Sequence, residues 1–273
     1  MVSGGLYSDL LSVSLRLLSE RKPLVFTITN YVTILDVAQA IRDSGALPAM
    51  WFEKEAAVEL TRIASALYLN MGTISDSTYE SMVACGKEAN KRGIPVVVDI
   101  VAAGAAPYIT KKCNEILSDV KVSVVKGNRG EIATLCGGEA EVRGVESISH
   151  SEGLESLMRE YAKARNIVLV ASGESDIVTD GERTFFVRNG VPELGLIVGS
   201  GCVSTALIAA FASVQDDKDY ALSSALAMAY FGIAGERAAE VSKLTGTFKV
   251  ALFDQLYKIA QAKDCVGVKI DQS

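Results

Sequence analysis

The sequence predicts an α/β fold: a mostly parallel central sheet with helices on both faces and a late β-hairpin at one edge. Three observations predict it. Short apolar runs alternate with amphipathic stretches roughly every 20–30 residues, the spacing of βαβ units. Runs such as IPVVVDIV at 94–101 are apolar without alternation, as strands covered on both faces are. The period then changes at 176–188, where apolar and polar residues alternate around Asp180-Gly181, a strong short-range hairpin signal. No linker, solenoid repeat or low-complexity segment interrupts the pattern, so residues 1–273 are expected to form one domain.

Taken in order, Leu6, Leu10, Leu11, Leu15 and Leu18 give residues 6–21 a helical apolar face. Pro23 stops that helix, and 23–29 reads as a buried strand. Asn30 and Thr33 are candidate caps for a helix through Asp43, with Gly45 in the C′ place. A strand at 46–51, a helix at 53–65 and a strand at 66–71 follow. A helix at 76–92, stopped by Gly93, leads to the strand 94–101. Helix 107–117, strand 122–126 and a short helix 129–135 continue the alternation. A polar, glycine-bearing loop is expected at 137–151, then a helix at 152–165 and a strand at 167–171. After the hairpin and a loop at 191–195, helices are expected over 200–214, 219–242 and 248–262. The tail 265–273 suggests no role.

Composition narrows the function. With a net charge of −6 and no long basic run, the chain is not expected to bind nucleic acid. No apolar run approaches the ~18 residues that a membrane span requires. The N-terminus lacks the charged start and apolar core of a signal peptide, so the expected location is the cytoplasm. The five cysteines are scattered with no C-x-x-C pair, which speaks against a zinc site or a disulfide framework. The one histidine, His150, falls in the polar loop, so neither Ser-His-Asp chemistry nor a multi-histidine metal site is expected.

The chemistry concentrates where α/β sheets bind ligands, just after the strands. In GLIVGSGCVSTALIAAF, Gly199-Ser200-Gly201-Cys202 opens a long small-residue helix. Unpaired amides at a helix start form an anion site, and a transferred anion in front of them would be stabilised. Cys202, in the first turn, is expected to have a lowered thiol pKa. The plain alternative is a helix start with a packed cysteine. The stretch is not a P-loop, which needs a lysine after its last glycine. Nor is it a dinucleotide fingerprint, since Ser204 replaces the third glycine.

Asp99, ending the fourth strand, is placed either to hold Mg²⁺ or to cap a turn. Lys126, ending the next, suits a phosphate as a point charge. Glu131 is either a second metal carboxylate or an acid favoured by a helix dipole. The hydroxyl and turn amides of Ser172-Gly173 suit a phosphate. Met50 and Trp51 form an apolar wall for a ring, or belong to the core. Metal, cation and N–H donors around one point are what phosphoryl transfer requires.

PLVFTITNYVT, GALPAM, LNMGT, PVVVDIVAAGA, VVKGNRGEI, SGESDIVTDGER, GSGCVSTALIAAF and AYFGIAGERAAE occur in this order across nearly the whole chain. Together they resemble the hydroxyethylthiazole kinases of thiamine salvage, in the ribokinase-like superfamily. The resemblance implies ATP- and Mg²⁺-dependent phosphorylation of the hydroxyl of 4-methyl-5-(2-hydroxyethyl)thiazole by a homotrimer with active sites between subunits. It implies that Cys202 lies near the attacking hydroxyl, with Gly199, Ser200 and Gly201 in the anion hole. It also implies that Lys126 and Ser172 contact ATP, that Asp99 and Glu131 surround Mg²⁺, and that Met50, Asn30 and Gly199 meet the thiazole.

Three places depart from the family pattern. Phe26-Thr27 stand for histidine and asparagine, Asp99–Gly104 lacks the usual proline and first glycine, and Val198 replaces a threonine. Phe26 is expected to reshape the acceptor pocket, and Ala102 to shift the metal ligand by restricting φ. Three other readings stand beside the thiazole kinase: a kinase of another small heteroaromatic alcohol, an ATP-dependent dehydratase of hydrated nicotinamide nucleotides, and a non-catalytic precursor-binding paralogue.

Overall fold

Among the described residues nine strands form one sheet in the order β2-β1-β3-β4-β5-β6-β7-β8-β9. A computed structural model describes residues 3–137 and 151–273. Strands β1 (Leu24–Ile28), β2 (Leu47–Met50), β3 (Ala66–Asn70), β4 (Val96–Asp99), β5 (Val124–Asn128) and β6 (Val168–Ser172) pair in parallel. The predicted hairpin is β7 (Asp176–Thr179) and β8 (Thr184–Val187), antiparallel, but it stands one strand in from the edge at which it was expected. Beyond it the tail adds β9 (Ile270–Gln272), antiparallel to β8, which the sequence did not suggest. The expected loop at 137–151 and His150 lie almost wholly outside the described residues.

Two apolar layers cover the sheet, and strand alternation decides which residue enters which. On one face lie α1 (Ser3–Arg21), α2 (Ile34–Asp43), α8 (Ser200–Ala212), α9 (Tyr220–Val241) and α10 (Thr245–Ala262). On the other lie α3 (Lys54–Ile63), α4 (Asp76–Arg92), α5 (Pro107–Asp119), α6 (Arg129–Gly137) and α7 (Ser151–Arg165). Helix α8 is buried from Cys202 to Ala212 and mostly apolar on every face, as buried helices are, with Ser204 and Thr205 the polar exceptions near its start.

In α1 the expected face needs one change. Leu11, Leu15 and Leu18 are fully buried, but Leu6 is exposed and Tyr7 turns inward instead. The Tyr7 hydroxyl donates to Gln272 Oε1 at 3.0 Å, tying α1 to the C-terminal strand. In α2, Thr33 occupies the cap position without a side-chain cap bond. Asn30 Oδ1 takes the amides of Val32 and Thr33 instead, at 3.0 Å each.

Alternation also corrects the expectation for Phe26. It is fully buried in the layer beneath α3 and α4, on the face opposite Cys202, and does not shape an acceptor pocket. Thr27, one residue on, faces the other way, level with Met50 on β2 and Tyr68 on β3.

Candidate active site

Register builds the centre of the site. Asn70 on β3 pairs with Asp99 on β4, and Asp99 pairs with Lys126 on β5. The three side chains therefore stand in one row at the carboxyl edge of the sheet, on the face that α8 covers. All three are buried. Asp99 Oδ2 receives Thr205 Oγ1 at 3.0 Å, Asn70 Nδ2 at 3.2 Å and the Tyr68 hydroxyl at 3.2 Å. Its Oδ1 has no donor among the described residues. A buried carboxylate persists only with such partners, which both fix its orientation and offset its desolvation.

The N-terminus of α8 closes over this row. Gly199 adopts φ +84°, and a Cβ there would lie 2.2 Å from Thr33 Cγ2, so only glycine fits the turn. The Ser200 amide donates to Ile197 O, and the Val203 amide to Gly199 O. The amides of Gly201 and Cys202 have no acceptor among the described residues, as the predicted anion hole requires. Lys126 Nζ donates to Gly201 O at 3.2 Å, beside these amides, so cation and donors share one corner.

Cys202 corrects one expectation. Burial and the Asp99 carboxylate push its thiol above the ordinary value, against hydrogen bonds from Thr33, Asn70 and Asn30. Asn70 Nδ2 lies 3.2 Å and Asn30 Nδ2 3.4 Å from Sγ. The helix start favours the thiolate, but desolvation and a like charge outweigh it, and the thiol is neutral at pH 7. Met50 packs partly buried against the same apolar layer, whereas Trp51 is half exposed.

Glu131 is held by backbone. Its Oε2 accepts the Asn128 amide at 2.7 Å and its Oε1 the Ala102 amide at 2.8 Å, while Asn128 Oδ1 accepts the Glu131 amide at 2.9 Å. This reciprocal cap starts α6 and braces the loop after Asp99. Burial pushes the Glu131 carboxyl up, and Asp99 adds to the rise against the two amides and Lys126. Among the described residues no group of three or more His, Cys, Asp and Glu could hold a metal ion.

Ala102 takes φ +64° without glycine's freedom, so the loop keeps its left-handed turn and Glu131 keeps its amide. An L side chain there costs about 1 kcal/mol. Ala102→Gly is therefore expected to raise the melting temperature by about 2 °C. An unchanged or lower midpoint by calorimetry would show that the turn is unstrained.

Beside the row opens a cleft of about 450 Å³, lined by Ser172-Gly173, Ser200-Gly201 and Ser204 on one wall and by apolar Met228 and Phe231 on another. The Ser172 hydroxyl donates to Gly127 O at 3.3 Å. The structure thus brings Asp99, Lys126, Cys202, Asn30 and the Gly199 turn into one network. Ser172 lines the cleft next to them, and Met50 lies a strand away. Tyr68, Asn70, Thr205 and Asp176 belong to the same region, and sequence reading missed them. Asn70 had a signal, a polar residue at the end of an apolar strand, just as Asp99 does. Thr205 had none beyond its place one turn into α8.

The model of the Hydroxyethylthiazole kinase family matches residues 15–262. The chain is 42% identical over 258 residues to a hydroxyethylthiazole kinase of Methanosarcina mazei, covering 94% of this chain and 98% of that one. A solved structure of a hydroxyethylthiazole kinase protein from Pyrococcus horikoshii superposes with a TM-score of 0.87 at 37% identity, over 97% of this chain and 99% of that one. A ribokinase-like superfamily protein from Enterococcus faecalis shares the fold, with a TM-score of 0.67 at 13% identity and 94% of each chain covered. The parallel sheet, the glycine turn over its carboxyl edge and these matches lead to one conclusion: the chain belongs to the hydroxyethylthiazole kinase family.

Proposed function

We propose that the protein transfers the γ-phosphoryl group of ATP to the hydroxyl of 4-methyl-5-(2-hydroxyethyl)thiazole, with Mg²⁺, in the thiamine pathway. The observation that carries this reading is the buried row Asn70-Asp99-Lys126 beneath the open amides of Gly201 and Cys202. It supplies cation, carboxylate and N–H donors at one point, next to a cleft of nucleotide size.

In this reading ATP occupies the cleft, its ring against Met228 and Phe231 and its phosphates towards Ser172, Ser200 and Lys126. One Lys126 proton holds Gly201 O, leaving two for phosphate oxygens. The Gly201 and Cys202 amides face the transferring group, where donors fixed before reaction stabilise developing charge. The thiazole lies towards Met50 and Asn30, with its hydroxyl near Cys202. The neutral Cys202 thiol orients that hydroxyl, since a loose transition state asks little of a base.

Asp99 and Glu131 suit Mg²⁺, which takes hard oxygen ligands and usually only one or two protein carboxylates. Asp99 Oδ1 has no other donor, and the mutual repulsion of the two acids is what a cation relieves. When bound, the ion neutralises phosphate charge. The same reading takes residues 1–273 as one kinase domain in the cytoplasm. No helix among the described residues is long and apolar enough to cross a membrane.

A homotrimer with active sites between subunits fits as well. Tyr31, Val32 and Leu35 flank Thr33, Leu196 and Val198 flank Gly199, and all five are more than half exposed at the site's rim.

ADP release with ATP, Mg²⁺ and a panel of alcohols tests the reading, with subunit mass fixed first by light scattering. Phosphorylated thiazole is expected at about 1 s⁻¹ or faster. No ADP release with the thiazole alcohol at saturating ATP would refute it. Turnover only with hydroxymethylpyrimidine or a pyridoxine-type alcohol would keep the kinase and change the acceptor, with Thr27 beside Met50 as the residue to examine.

A further inference from the structure

Asp176, the first residue of β7, is an acid in the wall of the cleft assigned to polyphosphate. It is buried, and its Oδ1 accepts the Gly173 amide at 3.0 Å, which fixes the Ser172-Gly173 turn. Its Oδ2 has no donor among the described residues. A carboxylate facing phosphates in a low-dielectric cleft is repelled by them, whereas a carboxylic acid there is a hydrogen-bond donor.

The charged groups around it are two cations and, in the same cleft wall, the second acid Glu174. Lys126 of β5 and Arg129 of α6 are the cations, and neither donates to it directly. Arg129 Nη2 holds Ser175 O, and its Nε is buried without a partner against Gly173. Strand β8 offers the apolar Val187 opposite Asp176, and α9 offers Met228 and Phe231 in the cleft. Lys163 and Arg159 of α7 reach Glu182 at the far, hairpin end. Burial raises the Asp176 carboxyl to about 7, against the Gly173 amide and the two cations.

We infer that Asp176 is a positioning residue for the nucleotide, its Oδ2 taking a proton from solvent, where it does not already carry one, as a nucleoside polyphosphate enters the cleft, and its Oδ1 holding the Ser172-Gly173 turn. The inference rests on the cleft being the nucleotide site. Binding is then tighter on the acid side and weakens as pH rises past the free acid's titration. For a one-unit shift on binding, affinity falls about fivefold from pH 6 to pH 8, and about 0.4 proton is taken up at pH 7.

The test is calorimetry of Mg-ADP binding at pH 6, 7 and 8, in two buffers of different ionisation enthalpy. The ligand's terminal phosphate also titrates near this range, so the readout is the difference between wild type and variant. Asp176→Asn keeps the acceptor for Gly173 and presents a permanent donor in place of Oδ2. It is expected to lose the extra proton uptake and flatten the pH dependence. Asp176→Ala, as second variant, is expected to be equally flat and weaker at every pH. Wild-type binding with the same uptake and pH profile as both variants would overturn the inference and leave the cleft a nucleotide site. Absence of binding by the wild type at every pH would overturn both.

Discussion

Asp99→Asn is expected to lower kcat by two to three orders of magnitude while the protein stays folded. The substitution keeps shape and an amide oxygen for Thr205, Asn70 and the Tyr68 hydroxyl, so the buried network loses charge rather than packing. What disappears is the one carboxylate in the row, beside Lys126 and beneath the open amides of Gly201 and Cys202. In the proposed reading that carboxylate helps hold Mg²⁺, and losing the group that positions such charge stabilisation costs about 3–4 kcal/mol in the transition state.

Asp99→Ala separates the two roles. It leaves the Tyr68 hydroxyl, Thr205 Oγ1 and Asn70 Nδ2 only their other acceptors, Cys202 O, Gly201 O and the Tyr68 hydroxyl, and empties the site of a buried side chain, so it is expected to destabilise the fold by about 1–3 kcal/mol. The asparagine variant also removes the negative neighbour that helps push up the Cys202 thiol. Alkylation of that thiol at fixed pH should therefore speed up. Turnover of Asp99→Asn within threefold of wild type would exclude Asp99 from the chemistry.

Gly199→Ala is expected to lower kcat/KM by two to three orders of magnitude as well, by a different route. Its φ of +84° costs an L residue about 1 kcal/mol, and its Cβ would overlap Thr33 Cγ2 at 2.2 Å. Overpacking of this kind costs about 1–3 kcal/mol, and relief requires the turn to move away from α2. The Gly201 and Cys202 amides move with it, and a displacement of about 1 Å at a reacting centre is enough for a hundredfold loss.

Thr33→Ser deletes Cγ2, so the double variant Gly199→Ala/Thr33→Ser should recover part of both activity and melting temperature. Activity of the single variant near wild type would show that the position of the Gly201 and Cys202 amides does not govern turnover. A double variant no better than the single one would assign the loss to φ rather than to overlap.

The strand-and-helix order was readable because βαβ units write themselves as alternating periods, and the hairpin because Asp180-Gly181 marks it. The tail strand β9 was not readable: 270–272 is short, and only β8 beside it makes it a strand. Asp99, Lys126 and Ser172 were legible as candidates because each stands at or near the end of a strand, where α/β folds collect ligands, and the Gly199 turn because glycines precede a small-residue helix, although a 3-10 turn rather than a strand leads into it. Both readings of Glu131 were visible from its place at a helix start, and its amide contacts add the bracing of the Ala102 loop.

Two expectations failed for reasons that a linear pattern does not contain. Phe26 differs from the family pattern, but strand alternation points it into the core away from Cys202. Cys202 sits in the first turn of a helix, yet its thiol is raised because burial and Asp99 come from other parts of the chain.

The sequence by itself determined the fold class, the family and the set of residues at strand ends. These depend on local periodicity and on motifs a few residues long. Only the tertiary structure decided which of those residues touch, that Tyr68, Asn70 and Thr205 hold Asp99, that Asp176 enters the cleft wall, and that burial moves the Cys202 thiol and the Glu131 carboxyl upward. Register between strands and desolvation are properties of many segments at once, and no single stretch encodes them.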